Sequence, residues 1–332
     1  MKAMTAARYG GPETMQLQEV PTPTIGDDDV LVAVRAASLQ ALDWHLLRAD
    51  PAIVRLGQGL LRPKRTIHGV DIAGIIEAVG AGVDDLGPGD EVFGWSDHGG
   101  GLAEYIVVPR DHVCPRPPNL TLEQAATVGV AAFTALQMVR DHGRVKATDR
   151  VLVVGASSGV GHFAVQQALA AGAHVTGVCS TRNLEMVRGL GTDAVIDRTT
   201  TDWSAAGQQW DVILQVAGAV PYRRARRVLA PGGRYVAAGV NVDGTWLGPA
   251  KVFFRLLAQR FFDRRIAVCR ADENPRDLEV LRDMLGAGTL RPVIDRRYPL
   301  ADAADALRYV EEGRASGKVV VVLERAFRPC PG

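Results

Sequence analysis

A short glycine-rich turn is the first feature of the sequence that could do chemistry. The turn is GASSGVG, residues 155–161, in which Gly159 stands between Gly155 and Gly161 and Ser158 takes the place of a third regularly spaced glycine. An apolar run precedes the turn and a helix-like run follows it. Glycines let a ligand approach the backbone, and the N–H groups at a helix start attract a phosphate. The candidate cofactor-binding residues of the turn are Gly155, Ser157, Ser158, Gly159, Val160 and Gly161.

The end of the next strand indicates which dinucleotide would bind. A fold that prefers NAD carries Asp or Glu about 20 residues after the glycines, whereas a nearby arginine accommodates a 2′-phosphate. Here the strand His174–Cys179 is followed by Ser180, Thr181 and Arg182, with no acid among them. Two hydroxyls and a guanidinium suit a phosphate dianion, so the sequence predicts NADPH. The same hydroxyls are also suited to cap the helix predicted from Leu184.

The turn also matches Gly-x-Ser-x-Gly, the pattern of a hydrolase nucleophile elbow. In such hydrolases an acid and then a histidine follow the serine along the chain. The last histidine here is His174, and neither Asp nor Glu lies between it and Ser157. A hydrolase triad in that order cannot be assembled.

Composition limits the remaining classes. The chain has 332 residues, which predicts two domains, and its net charge of +1 gives no reason to expect nucleic acid as a partner. The 4 cysteines are scattered and predict neither a zinc knuckle nor disulfides. Met1–Arg8 lacks the apolar core of a signal peptide, and no apolar run is long enough to span a membrane. We therefore expect a soluble, cytoplasmic protein.

Two kinds of pattern divide the chain into elements. From Met4 to about Pro118, short strand-like runs alternate with turns, which predicts a compact β-rich domain. From Leu122 onward, helical and strand patterns alternate as in a doubly wound parallel sheet. After Leu290 one helix and a final strand, GKVVVVL, predict a return to the first domain. The predicted boundaries are 1–120 with 288–332 for the β-rich domain and 121–287 for the nucleotide-binding domain.

Five stretches together resemble the medium-chain dehydrogenase/reductase superfamily, and within it the zinc-independent quinone oxidoreductases. They are His68–Gly94, GLAEYIVVP (Gly101–Pro109), AAFTALQ (Ala131–Gln137), the GASSGVG turn and the terminal GKVVVV. The resemblance covers essentially the whole chain. It implies an α/β fold made of a Rossmann doubly wound parallel sheet plus a GroES-like β-rich catalytic domain, with an active-site cleft between them and a homodimeric assembly.

The resemblance also allows a test for catalytic zinc. Zinc-dependent alcohol dehydrogenases of this superfamily carry their first cysteine ligand where this chain has Gln40, and their His-Glu pair falls at Val70 and Asp71. Glutamine and valine are not zinc ligands, and no thiolate accompanies His45 or His68. The sequence therefore predicts no metal site.

Candidate catalytic residues follow from the same comparison. His45 occupies the place of a tyrosine in similar quinone oxidoreductases and is the candidate proton donor, with packing beside Trp44 as the alternative. Gln40 is a candidate for orienting a substrate carbonyl, or else an ordinary amide at a strand end. Asp43 is a further candidate, and its alternative is a structural contact with Arg48 or a loop amide. Thr134 resembles a residue near the nicotinamide amide, although a helix threonine also bonds its own backbone.

These residues predict an NADPH-dependent, zinc-independent reductase of quinones or α,β-unsaturated carbonyls, acting by hydride transfer in the interdomain cleft on a small hydrophobic electrophile. Two alternatives stay open: a zinc-free alcohol dehydrogenase or carbonyl reductase, and an NADPH-binding protein with little catalysis. The apolar and basic stretch Thr245–Phe262 is expected either to cover the substrate pocket or to form a subunit contact.

Overall fold

The structure is a computed structural model that describes residues 1–50, 52, 54–205, 207–218, 221–238 and 263–323. The chain forms two compact units. The first comprises Met1–Val130, Glu273–Gly286 and Ile294–Gly332, and the second comprises Ala131–Asp272 and Ala287–Val293. The stretch predicted to cover a pocket or a subunit contact, Thr245–Phe262, lies outside the described residues.

The strands and helices of the described residues are as follows. The strands are β1 (Lys2–Thr5), β2 (Gln16–Glu19), β3 (Asp29–Leu39), β4 (Asp71–Val79), β5 (Glu91–Trp95), β6 (Tyr105–Pro109), β7 (Val113–Pro115), β8 (Arg150–Val154), β9 (His174–Cys179), β10 (Ala194–Asp197), β11 (Trp210–Gln215), β12 (Leu229–Ala238), β13 (Ile266–Cys269), β14 (Ile294–Pro299) and β15 (Lys318–Val322). The α-helices are α1 (Ala41–Arg48), α2 (Val54–Gln58), α3 (Leu122–Ala125), α4 (Gly129–Gln137), α5 (Gly161–Ala170), α6 (Leu184–Gly189), α7 (Tyr222–Ala225), α8 (Pro275–Gly286) and α9 (Ala303–Glu311). Single turns of 3₁₀ helix occur at Pro12–Thr14, Arg110–His112, Thr181–Asn183, Trp203–Ala205 and Leu300–Asp302, and a π-turn extends α4 over Met138–His142.

The second unit is built on a parallel sheet. Its described strands lie in the order β10-β9-β8-β11-β12-β13, and every neighbouring pair is parallel. The chain order reverses at β8, which is the strand order of a dinucleotide-binding fold. The central strand Val151–Val154 is buried, as expected for a strand covered on both faces. The predicted doubly wound parallel sheet is confirmed.

The first unit is a mainly antiparallel β structure. Its larger sheet has the order β14-β15-β3-β4-β5-β7, with β6 also paired to β3. The 11-residue strand β3 supplies alternating side chains to a core that includes Val30, Val32 and Val34. The last described strand, β15, pairs antiparallel with β3 and so belongs to the first unit.

The helical pattern that begins at Leu122 forms two helices in the structure. Helix α3 ends at Ala125 and α4 begins at Gly129, where the Asp71 carboxylate accepts a hydrogen bond from the Val130 N–H at 2.9 Å. This contact ties the start of α4 to β4. The first unit therefore extends to Val130, ten residues beyond the predicted boundary at 120.

Helix α8 also belongs to the first unit, although the prediction assigned it to the nucleotide-binding domain. The Asn119 side chain donates a hydrogen bond of 2.9 Å to the Leu285 carbonyl near the end of α8. Leu278, Leu281 and Leu285 of this helix are buried. A long-range side-chain contact of this kind has no signal in the local sequence.

Candidate functional site

The glycines of the turn between β8 and α5 are required by close backbone packing. Gly155 has a φ of +91°, and a Cβ atom there would lie 2.6 Å from the Cβ of Ala217. A Cβ at Gly161 would lie 2.0 Å from the carbonyl oxygen of Gly155. Neither position can accept a side chain without moving the backbone, so the turn holds one tight conformation.

Three backbone donors of the turn make no hydrogen bond to any described residue. The N–H groups of Ser158 and Gly161 are bonded within the turn, at 2.9 Å and 3.0 Å. Those of Ser157, Gly159 and Val160 make no hydrogen bond within the described part of the chain. They stand immediately before the first residue of α5, where the helix dipole is positive. Free N–H groups at a helix start fit the pyrophosphate of a dinucleotide.

A buried side-chain contact joins this turn to the end of β9. The Asn183 amide donates to the Ser157 hydroxyl at 2.8 Å, and both side chains are buried. The Ser157 hydroxyl therefore accepts a hydrogen bond that holds the turn to Asn183, just after β9. The contact lies at the edge of the sheet where the parallel strands β8 and β9 end, and the roles of Ser180 and Arg182 stay predictions.

The segment after β9 has an acidic neighbour that sequence analysis missed. The Thr181 hydroxyl donates to the Asp197 carboxylate at 2.6 Å. Asp197 is the last residue of β10 and lies opposite Cys179 in the parallel register. The chain has no acid directly after β9, but the neighbouring strand supplies one in space. The ends of parallel strands meet at one edge, and that rule was the available signal.

Thr134 lies in α4 of the same unit and is buried. Its carbonyl oxygen accepts a contact of 3.8 Å from the Cys269 thiol at the end of β13. The predicted role of Thr134 near a nicotinamide amide stays a prediction.

In the first unit, Asp43 holds the start of α1 to the loop before β4. Its carboxylate accepts hydrogen bonds from the N–H groups of Gln40, at 2.9 Å, and Gly69, at 3.0 Å. Asp43 is fully buried, and burial raises the pKa of its carboxyl to about 7, against the effect of these two donors. The loop-amide contact is the structural alternative considered for Asp43, and Arg48 pairs with Glu311 instead.

Sequence analysis missed a buried ion pair beside Gln40. The Lys318 ammonium lies 3.1 Å from the Asp71 carboxylate, and the two side chains are 1% and 0% exposed. The Ser38 hydroxyl donates to the same carboxylate at 3.0 Å. Lys318 stands 3.4 Å from the Gln40 side-chain oxygen. The residues are brought together by the pairing of β15, β3 and β4.

This ion pair fixes which way the Gln40 amide points. An ammonium can only donate, so the amide atom facing Lys318 must be the oxygen. The Nε2 group then points away from Lys318, and it is buried with no hydrogen-bond partner among the described residues. A desolvated donor that lacks a partner among the described residues costs free energy, and a hydrogen-bond acceptor that reached it would remove that cost.

His45 lies on the same helix, α1, in contact with the Trp44 ring at 3.6 Å between centroids. Its Nδ1 atom is 2.8 Å from the Asp50 carbonyl oxygen. A carbonyl only accepts, so Nδ1 carries a proton. The second nitrogen, Nε2, therefore carries a proton only when the ring is cationic.

A pocket in the first unit adjoins Asp43. It encloses about 350 Å³ of empty space, including its mouth, and its polar lining residues are Tyr9, Asp43, Gln58, Arg65, His68 and His98. The Nε2 atom of His68 is buried with no partner among the described residues. Burial lowers the pKa of His68 to about 4, so the ring is neutral at physiological pH.

The low pKa of His68 predicts how the free energy of unfolding depends on pH. Its folded-state pKa lies below the unfolded value near 6.5, so between about pH 6.5 and pH 4 the unfolded state binds more protons. This residue therefore destabilises the fold as the pH falls through that window. Between pH 7 and pH 4 the free energy of unfolding, measured with urea, should fall by about 3 kcal/mol more in the parent chain than in His68→Gln, because each pKa unit corresponds to about 1.4 kcal/mol. Parallel curves would contradict the burial of His68.

No helix in the described ranges is long and apolar enough to cross a membrane. In the same ranges, no group of three or more His, Cys, Asp or Glu side chains is arranged to hold a metal ion.

Together, the glycine turn, the strand order and the GroES-like β unit define a medium-chain dehydrogenase/reductase. The family described as "Alcohol dehydrogenase GroES-like domain" matches residues 26–118, and the family described as "Zinc-binding dehydrogenase" matches residues 190–321. Members of this superfamily bind a nicotinamide dinucleotide.

Whole-chain comparisons agree with these matches. The chain is 30% identical to a "Chloroplast envelope quinone oxidoreductase homolog" of Arabidopsis thaliana, covering 96% of this chain and 98% of the relative. It is 30% identical to the "NADPH-dependent alkenal/one oxidoreductase, chloroplastic" of the same organism, covering 97% and 79%. The quinone oxidoreductase structure from Coxiella burnetii is 27% identical, with a TM-score of 0.85 over 98% of this chain and 99% of that one. The chain therefore belongs to the quinone oxidoreductase branch of the medium-chain dehydrogenase/reductase superfamily, a family of oxidoreductases.

Proposed function

We propose that this protein is an NADPH-dependent, zinc-independent reductase of quinones or α,β-unsaturated carbonyls. The observation that carries the proposal is the contact between Gln40 and Lys318. Gln40 stands where the zinc-dependent relatives carry a thiolate ligand. Here the position holds an amide whose oxygen faces an ammonium, which leaves a hydrogen-bond donor for a substrate oxygen.

The residues around Gln40 do not fit a catalytic zinc. An amide oxygen is a poor substitute for thiolate, and Val70, at the position of the histidine ligand, has no donor atom. A dication at the Gln40 oxygen would also lie close to the Lys318 ammonium, and like charges repel strongly at a buried site. Without a Lewis acid, quinones and enones are the carbonyl compounds that accept a hydride most readily.

The second unit supplies the cofactor site in this proposal. The N–H groups of Ser157, Gly159 and Val160, which make no hydrogen bond to a described residue, would bind the pyrophosphate, and Ser180 and Arg182 would bind the ribose 2′-phosphate. A nicotinamide cofactor held there would supply the hydride that reduces the β-carbon of an enone or a quinone. The name of the alkenal/one relative, which specifies NADPH, supports this choice of cofactor.

The first unit supplies hydrogen bonds to the oxygen on which negative charge develops. The Gln40 Nε2 group donates to that oxygen, and Lys318 holds the amide in the required orientation. Preorganised donors of this kind are commonly worth about 2.7–4 kcal/mol of barrier each. Asp43 positions Gln40 through its backbone N–H and does not itself need to touch the substrate.

His45 is the proposed proton donor, and a variant tests it. Because its Nδ1 proton is held by the Asp50 carbonyl, His45 can give a proton from Nε2 only as the cation. We expect kcat to fall at high pH, where the imidazole is neutral and cannot donate from Nε2. His45→Phe should be slower by about 10²-fold or more and should lack this pH dependence. The exposed His174 provides a control, since His174→Phe should keep both the rate and the profile. A His45 variant with an unchanged pH profile would remove His45 from the mechanism.

A zinc-free alcohol dehydrogenase or carbonyl reductase is the second candidate. The observation that favours it is the match of residues 26–118 to an alcohol dehydrogenase domain. The two candidates differ in the carbon that receives the hydride. NADPH deuterated at the transferred position should place deuterium on the β-carbon of an alkyl enone, with a solvent proton on the α-carbon. Deuterium on the carbonyl carbon would favour the second candidate instead.

The homodimer, the cytoplasmic location and the small hydrophobic electrophile as substrate stay predictions. The names of the relatives support a small quinone or enone substrate. Sedimentation of the purified chain tests the homodimer directly, since a mass near twice that of the 35.5 kDa chain is expected.

A further inference from the structure

We propose that Asp197 is a specificity-determining residue at the ribose 2′ position, where its carboxylate weakens the binding of a 2′-phosphate. The inference rests on the proposed cofactor site and deepens it. All the residues concerned lie in the second unit, at the edge of the sheet where β9 and β10 end.

Asp197 is held in place by hydrogen bonds from three donors. The Thr181 hydroxyl donates to one carboxylate oxygen at 2.6 Å. The hydroxyl and the N–H of Thr199 donate to the other oxygen at 2.7 Å and 2.9 Å. These bonds, Thr181 first, lower the pKa of Asp197, so the group is a carboxylate at neutral pH.

The same bonds remove Thr181 as a phosphate donor. Each threonine hydroxyl has one proton, and both protons are directed at Asp197. The contact of 2.7 Å between the Thr181 and Thr199 hydroxyls is part of the same cluster. A phosphate dianion accepts hydrogen bonds and offers none. Thr181 therefore cannot serve it while Asp197 holds the hydroxyl proton.

The surrounding charges are of both signs. Arg182 follows Thr181, and Arg198 follows Asp197, with its N–H donated to the Cys179 carbonyl at 2.9 Å. The Arg198 guanidinium is close enough to Asp197 to lower its pKa. In the proposed site Arg182 and Arg198 favour a 2′-phosphate, whereas the Asp197 carboxylate opposes it. The site is expected to prefer NADPH to a smaller degree than its arginines alone would give, and to retain some affinity for NADH.

Binding of two adenosine phosphates to the full chain tests the proposal. Adenosine 2′,5′-bisphosphate and 5′-AMP differ only in the 2′-phosphate, and titration calorimetry measures both without turnover. Asp197→Asn should bind the bisphosphate about tenfold more tightly, with 5′-AMP nearly unchanged. Asp197→Ser should also raise the ratio of bisphosphate affinity to 5′-AMP affinity. This second variant tests the proposal if the asparagine variant fails to fold.

Asp193→Asn is the matched control. Asp193 lies just before the start of β10, whereas Asp197 lies at its end, so the two are separated by on the order of 13 Å along the strand. At that distance salt screens most of the effect of the Asp193 charge on a phosphate near Asp197. The proposal would be overturned if the Asp197 variants changed the affinity for both ligands equally or changed neither affinity. It would also be overturned if the Asp193 variant had the same effect as the Asp197 variants.

The proposed cofactor preference has its own readout in the same experiment. Arg182→Ala should weaken the bisphosphate more than 5′-AMP. If it weakens both equally while Asp197→Asn still raises the ratio, NADPH preference through Arg182 fails and the role of Asp197 stands.

Discussion

Replacing Lys318 with methionine is expected to lower the free energy of unfolding by about 3–5 kcal/mol. The substitution would leave Asp71 as a fully buried carboxylate without its cation, and breaking one side of a buried ion pair typically costs this much. It would also release the Gln40 oxygen, so the amide could rotate. We therefore expect a lower kcat for the fraction of Lys318→Met that stays folded. Denaturant unfolding measures the first effect and steady-state kinetics the second.

Two further variants separate the effect of Lys318 on stability from its effect on kcat. Lys146→Met removes an exposed lysine of the second unit and should change the stability by less than about 0.5 kcal/mol. The double variant Asp71→Asn with Lys318→Met removes both charges but keeps an oxygen that can accept from the Val130 N–H, and it should recover part of the lost stability but not the lost kcat. A Lys318→Met protein as stable and as active as the parent would contradict the described network.

Replacing Gly161 with alanine is expected to weaken dinucleotide binding by about tenfold to a hundredfold. The new Cβ would lie 2.0 Å from the Gly155 carbonyl oxygen, and that atom belongs to the backbone. Relief of such an overlap typically costs about 1–3 kcal/mol and would move the free N–H groups of the turn. Titration of NADPH against the purified variant measures the loss.

Gly189→Ala is the control for this substitution. Gly189 is the last residue of α6, and a Cβ there meets no atom within 4 Å. Binding should be unchanged. Equal affinity of Gly161→Ala and the parent chain for NADPH would show that the turn does not hold the cofactor.

Much of the nucleotide-binding unit could be predicted from local patterns. The β8 strand, the turn and α5 lie within about twenty residues, and their apolar periodicity and glycines follow directly from their burial and close packing. The doubly wound sheet is confirmed because its alternating helices and strands leave a periodic record in the sequence.

The contacts that position the candidate catalytic residues could not be predicted in this way. Lys318 and Asp71 are 247 positions apart, and only the pairing of β15 and β4 with β3 brings them together. Asp197 meets Thr181 because two parallel strands end at one edge. The break between α3 and α4 depends on the Asp71 carboxylate, which lies 59 positions before Val130. In each case the deciding partner is distant in sequence.

The central claim is that reduction proceeds at Gln40 without zinc. Its most direct test is the rate of NADPH oxidation by chelator-treated, metal-free protein, followed at the nicotinamide absorbance with a quinone, an alkyl enone and a simple ketone. We predict that the metal-free protein keeps its full rate with the quinone or the enone, that added zinc does not raise this rate, and that the ketone is reduced far more slowly. Loss of the rate on removal of metal and its recovery with zinc, or activity confined to the ketone, would contradict the account.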